Sequence, residues 1–211
     1  PGGDGVHPEL LTTDNFEWTV VAVMSIAAHL VERNFPLRVL DVFGGPGFAS
    51  SSSAPSPQEE LYAGAAGIAA VADSLAALEL SAAAHREPDG PDGGRETAQP
   101  FGEALDDKLA GHRQRGPLVA VVGSLSRAEA KALAALAEHG AGALALVVCD
   151  HPRNAGAVLE QLRLGGWRAL AVDRRTGLPA AWSYFDDASL PAMAGRDADA
   201  AGPQPLSGRR R

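Results

Sequence analysis

The sequence predicts an α/β protein of three layers, with helices on both faces of a mainly parallel sheet. Three apolar segments of strand length, Leu118–Val122, Ala143–Cys149 and Trp167–Val172, run almost without polar alternation. That pattern belongs to strands covered on both faces. Each segment is separated from the next by a stretch carrying helix start and stop signals, and strand–helix alternation is the signature of a parallel sheet. At the front of the chain, a long apolar helix feeds directly into a further candidate strand.

The first 13 residues are Gly-rich and polar and read as a flexible segment. Asp14 and Glu17 have capping-box spacing, which starts a helix over 15–33. From Trp18 to Val31 almost every position is apolar or small, so this helix is expected to be buried on all sides. Its apolar run is shorter than the ~20 residues that cross a bilayer. The run Leu37-Arg-Val-Leu-Asp-Val42 reads as a strand, here taken to Phe43. Gly44-Gly-Pro-Gly47 and the serine run that follows read as a mobile insertion near 44–56. Ser56, Pro57 and Glu59 spell a second helix start. That helix is expected to pass Leu61, Ile68 and Val71, break near Asp73 and resume to Ala84. Residues 85–100 read as a turn-rich mobile insertion. A short amphipathic helix follows over 101–113, with Leu105 and Leu109 on one face. Strand Leu118–Val122 leads to a capping box at Ser126 and Glu129, opening a helix that Gly140 ends. After strand Ala143–Cys149, Asn154 is the expected cap of the next helix. Gly165-Gly166 stops it, and Trp167–Val172 is the last strand. The domain is therefore expected to span 14–190, with a disordered tail over 191–211.

Composition narrows the function. The chain has 211 residues and a formal net charge of -8, and its basic residues gather only at Gly208-Arg-Arg-Arg211. That is not the footprint of a nucleic-acid binder. A single cysteine, Cys149, excludes an internal disulfide and points to a reducing, cytoplasmic setting. The start lacks the charged and apolar regions of a signal peptide. It also lacks Met, and reads as the opening of an internal or C-terminal piece of a longer protein.

Candidate chemistry is sparse. Gly44-Gly-Pro-Gly47 follows a strand, where glycine loops cradle phosphate. It has neither the dinucleotide fingerprint nor a P-loop Lys-Ser/Thr, and Pro46 removes an amide, so a plain turn is the better reading. Cys149, Asp150 and His151 offer a thiol beside a base, but Pro152 stops the strand that would align them, leaving an inert core thiol as the expectation. Ser124 and Ser126 lack a nucleophile elbow. His29 reads as a packing residue, and His7, His85, His112 and His139 are scattered among loops and helix ends. No histidine pair has metal-ligand spacing on one helix face. Asp41 stands out as a carboxylate in a buried strand, costly unless paired or near the strand end. On this reading there are no catalytic, cofactor or metal residues to assign.

The ordered series of segments resembles the domain-of-unknown-function 58 family, von Willebrand A-like proteins commonly encoded beside MoxR-type AAA+ ATPases. Residues 16–31 resemble the helix after that family's first strand, and Leu37–Val42 its second strand. Leu118–Leu125 with Ala128–Leu136 resembles a later strand–helix pair, and Gly142–Val148 the next strand. Ala157–Val172, with Ala180-Ala-Trp182 beyond it, resembles the closing unit. The resemblance implies a Rossmann-like, von Willebrand A-like domain whose first central strand is absent from this sequence, since Leu10-Leu11 is too short. It also implies a cation motif, Asp-x-Ser-x-Ser, on that strand. The distant echo Val122-Gly-Ser124-Leu-Ser126 has valine where the aspartate must stand. The implied function is a non-catalytic interaction domain acting with a MoxR-type ATPase in protein assembly or maturation. The full-length protein would sit at the cytoplasmic face of a membrane, through a segment missing here. The alternative is a nucleotide- or phosphate-binding enzyme of Rossmann-like fold. A third reading is an incomplete domain with exposed strand edges and no activity of its own.

Overall fold

The computed structural model describes residues 6–7, 12–78, 99–111 and 116–186. The readings of the 85–100 insertion as far as residue 98, of a helix continuing to Ala84 and of the tail from 191 lie outside them.

Its centre is the sheet formed by β5 (Leu118–Val122), β6 (Ala143–Val148) and β7 (Arg168–Val172), all parallel and in the order β5-β6-β7. β5 matches its apolar run, while β6 stops one residue short of Cys149 and β7 starts one residue after Trp167. All six residues of β6 are buried, and its side chains alternate between two apolar layers. Ala143, Ala145 and Val147 pack with Leu133, Leu162 and Trp167, from the side of α4 (Arg127–Ala135) and α5 (Gly156–Leu164). Leu144, Leu146 and Val148 pack with Ile26, Ala181 and Phe185, from α1 (Asp14–Glu32) and α6 (Leu178–Asp186). Helices therefore cover both faces, as the continuous apolar strands require. The connecting helices α4 and α5 share a face, the outcome of two successive crossovers of one hand.

The start of α4 follows the sequence signal: the Ser126 hydroxyl accepts from the Glu129 amide, and the Glu129 carboxylate accepts from the Ser126 amide. The helix tightens into a 3-10 turn, Leu136–His139, and Gly140 ends it. Gly165 and Gly166 terminate α5. Gly166 has φ +97, and a Cβ on Gly165 would meet the Ala134 carbonyl at 2.6 Å, so glycine lets α5 approach α4 there.

Helix α1 is the other organising element. One stripe, with Trp18, Ile26 and Leu30, faces the sheet. Another, with Val20, Val23, Met24 and Ala27, packs on Phe48, Tyr62, Val71 and Leu75. Those partners come from the segment 48–62 and from α2 (Gly64–Ala76). Burial is not complete, however: Val21 is 60% exposed.

Several local expectations are corrected. The cap of α1 is Thr13, whose hydroxyl accepts from the Phe16 amide. Asp14 instead lies in the first turn and pairs with Arg174. Thr12–Thr13 (β2) pairs antiparallel with Val6–His7 (β1), so the opening segment is not all loop. The expected strand Leu37–Phe43 is cut to β3 (Leu37–Arg38). This pairs antiparallel with β4 (Leu61–Tyr62) and does not join the parallel sheet. The cause is Asp41, whose carboxylate accepts from the amides of Phe43 at 2.9 Å and Gly45 at 2.8 Å and folds the chain into a turn. The helix expected from Ser56 starts only at Gly64. Tyr62 is instead held extended by pairing with Leu37 and by edge contact with Phe48. The insertion 44–56 is anchored, with Phe48 and Ser51 buried and the Ser51 hydroxyl donating to the Ser74 carbonyl at 2.6 Å. Asn154 caps nothing; it lies within a 3-10 turn, Pro152–Ala155, ahead of α5. The short helix is α3 (Glu103–Ala110).

Candidate functional site

In open α/β sheets, ligands gather at the carboxyl ends of the strands. Here that rim comprises Gly123 and Ser124 after β5, Cys149–His151 after β6 and Asp173 after β7, with the start of α1 laid beside it. Ser124, Asp150 and His151 are exposed, and Cys149 and Asp173 are half-buried.

Polar groups along this rim are joined to one another. The Asn15 side-chain amide donates to Asp150 at 2.7 Å. The Trp18 indole donates to the Thr176 carbonyl at 2.8 Å, and Arg174 pairs with Asp14. Together these three contacts pin the first turn of α1 to the loops after β6 and β7. Asp173 organises its own loop: its carboxylate accepts from the Thr176 hydroxyl at 2.9 Å and the Arg175 amide at 3.0 Å. The Thr176 hydroxyl bond is the main reason its carboxyl lies below the ordinary value of 3.8.

Cys149 sits one residue past β6, and its amide still donates to the Val172 carbonyl at 2.9 Å. Burial pushes its thiol up, against a hydrogen bond from the His151 backbone, with the Asp150 and Asp173 carboxylates adding to the rise. A thiol held protonated is a poor nucleophile. His151 is exposed and the chain turns at Pro152, so strand alignment does not bring an imidazole to the sulfur.

Gly44-Gly-Pro-Gly47 is not on this rim, because the segment before it left the parallel sheet. It packs instead on α3, where a Cβ on Gly44 would meet the Ala104 carbonyl at 3.0 Å. Every amide in the loop already donates inside the turn. Gly44 donates to the Asp41 carbonyl, Gly45 to the Asp41 carboxylate and Gly47 to the Val39 carbonyl, while Pro46 has none to give. The turn reading holds, and a phosphate would have to displace Asp41.

Ser126 is spent on its cap. His29 lies half-buried with its ring edge-on to Trp182, in an open apolar cleft of about 350 Å³ between α1 and α6 that Val21, Ser25, Leu178 and Pro179 also line. His85 and His112 lie outside the described residues. One pairing could not be read from the sequence: His139 meets Asp106 at 2.8 Å, with Glu138 beside them. Only the charge content of α3 hinted at it, since Asp106 and His139 stand on different helices.

These features define a three-layer α/β protein built on a parallel sheet. The chain matches no protein-family model, no curated protein and no solved structure. Among the described residues no helix is long and apolar enough to cross a membrane.

Proposed function

We propose that this is a non-catalytic protein-interaction domain that takes an extended segment of its partner along the outer edge of β5. One observation carries this reading. Among the described residues β5 pairs only with β6, while both faces of the sheet are covered. Leu118 donates to the Gly142 carbonyl on the β6 side, so strand alternation turns the Val119 and Val121 amides to the outer edge. A strand edge with packed faces is a template for main-chain pairing.

By resemblance to the domain-of-unknown-function 58 family, the partner is a MoxR-type AAA+ ATPase. The von Willebrand A-like assignment is supported by the parallel order β5-β6-β7 with helices on both faces. The occupied amides of the 44–47 loop weigh against the phosphate-binding alternative.

The test is co-purification of the full-length protein with a MoxR-type ATPase encoded beside it. The comparison variant is Val121→Pro, which removes an outward amide and leaves the ladder to β6 in place. The expected result is capture by the natural protein and its loss in a variant whose circular dichroism is unchanged. Failure to capture the ATPase, or equal capture by a folded Val121→Pro variant, would overturn the proposal.

A further inference from the structure

We infer that the partner segment taken along the outer edge of β5 is apolar at every position, not alternately apolar and polar. This rests on the edge-pairing reading above and adds the side-chain chemistry that the edge selects. The template is short: Pro117 precedes β5 and has no amide to give, and the strand ends at Val122. The alternation that turns Leu118 towards β6 points the amides and carbonyls of Val119 and Val121 outward. A segment as long as β5 itself finds its main-chain partners there.

Across β5 the side chains divide between the two apolar layers of the domain. Leu118, Ala120 and Val122 join the layer that holds Leu105 and Leu133. Val119 and Val121 join the one that holds Ile26 and Phe185. All five are only half-buried, whereas every residue of β6 is buried. Each layer also keeps other half-buried apolar side chains, Val42 and Leu109 in the first and Trp18 and Leu30 in the second. Helix α1, which carries Trp18 and Leu30, lies against β5 itself. The apolar surface left open at this edge therefore belongs to both layers.

A strand added to the sheet sets its successive side chains into the same two layers. An alternating segment cannot satisfy both. Whichever register it takes, its polar positions fall together into one layer, because the side-chain period is two. Those groups would leave water without gaining a hydrogen-bond partner. A segment that is apolar throughout covers both layers, the pattern of every strand packed on two faces.

The experiment uses the whole chain and two fluorescently labelled peptides of equal length, flanked by the same lysines. One carries five consecutive valines; the other alternates valine with threonine, which has the same shape and also favours strands. Fluorescence anisotropy should show at least tenfold tighter binding of the valine peptide, and a folded Val121→Pro variant should lose it. A valine peptide N-methylated throughout cannot donate main-chain bonds and should bind no better than the threonine one, a check independent of how the variant folds. Equal affinities for the two peptides, both lost in Val121→Pro, would overturn the inference and leave the edge reading standing. Valine-peptide binding undiminished in a folded Val121→Pro variant would overturn both. Binding of neither peptide would overturn the inference alone, since capture of the ATPase reads the edge separately.

Discussion

Leu146→Ala tests the layered architecture most directly. Leu146 lies midway along β6, 1% exposed, with its side chain in the apolar layer shared by Ile26, Val172, Ala181 and Phe185. Truncation removes three carbons, a transfer loss of about 2–2.5 kcal/mol at ~0.8 kcal/mol per methylene. The wall of the resulting hole is made of a strand and two helices already packed on other partners, so it collapses only in part. The cavity raises the total to about 3–4 kcal/mol. For a domain of this size that lowers the melting temperature by roughly 6–16 °C. Urea unfolding followed by circular dichroism reads the loss as a shift in midpoint at unchanged slope. Val21→Ala is the control: Val21 is 60% exposed on α1, and alanine is the better helix former, so its change should stay within about 0.5 kcal/mol. A Leu146→Ala cost below about 1 kcal/mol, or equal costs at the two positions, would mean that α1 and α6 do not seal this face.

Three further outcomes follow from the same structure. Gly44→Ala should destabilise by about 1–3 kcal/mol, because Gly44 has φ +84 and its new Cβ would press on the Ala104 carbonyl; a neutral urea midpoint would refute the turn geometry. Asp173 has a carboxyl lowered from 3.8 in the folded protein, so its contribution is fully present above that value and fades as pH falls through the native one. Asp173→Asn should therefore be less stable than the natural chain near neutrality, with the two melting temperatures converging in acid. A gap that widened on acidification would reverse the sign and the argument. Cys149, with its thiol raised above 9.0, should react slowly with a disulfide reagent at neutral pH and accelerate only in alkali. Fast modification of the folded protein at neutral pH would contradict its burial.

How much could be read in advance depended on how many signals agreed. At β5, β6 and β7, strand length, continuous apolarity and flanking caps all pointed one way, and the structure follows them. The Ser126–Glu129 box was equally legible because both partners lie within one turn. At Asp41 the signals conflicted: an apolar string predicted a strand, while the carboxylate had two amides within reach and made a turn. Ser56 and Glu59 wrote a capping box, but pairing of Tyr62 with Leu37 and its contact with Phe48 drew the chain extended. Thr13 and Asp14 are both competent caps, and Arg174, 160 positions away from Asp14, supplied a partner that the local sequence does not contain.

The sequence by itself determined the layered α/β class, the three parallel strands and the helices that connect them. These rest on the periodicity of apolar residues and on caps that act within a few positions, and local physics suffices for both. Only the tertiary structure decided that 37–42 leaves the parallel sheet, with Leu37-Arg38 pairing instead with Leu61-Tyr62. It alone brought Asp106 to His139, and it alone left the outer edge of β5 without a strand among the described residues. Such outcomes arise from contacts between segments far apart along the chain, whose energies no local pattern encodes.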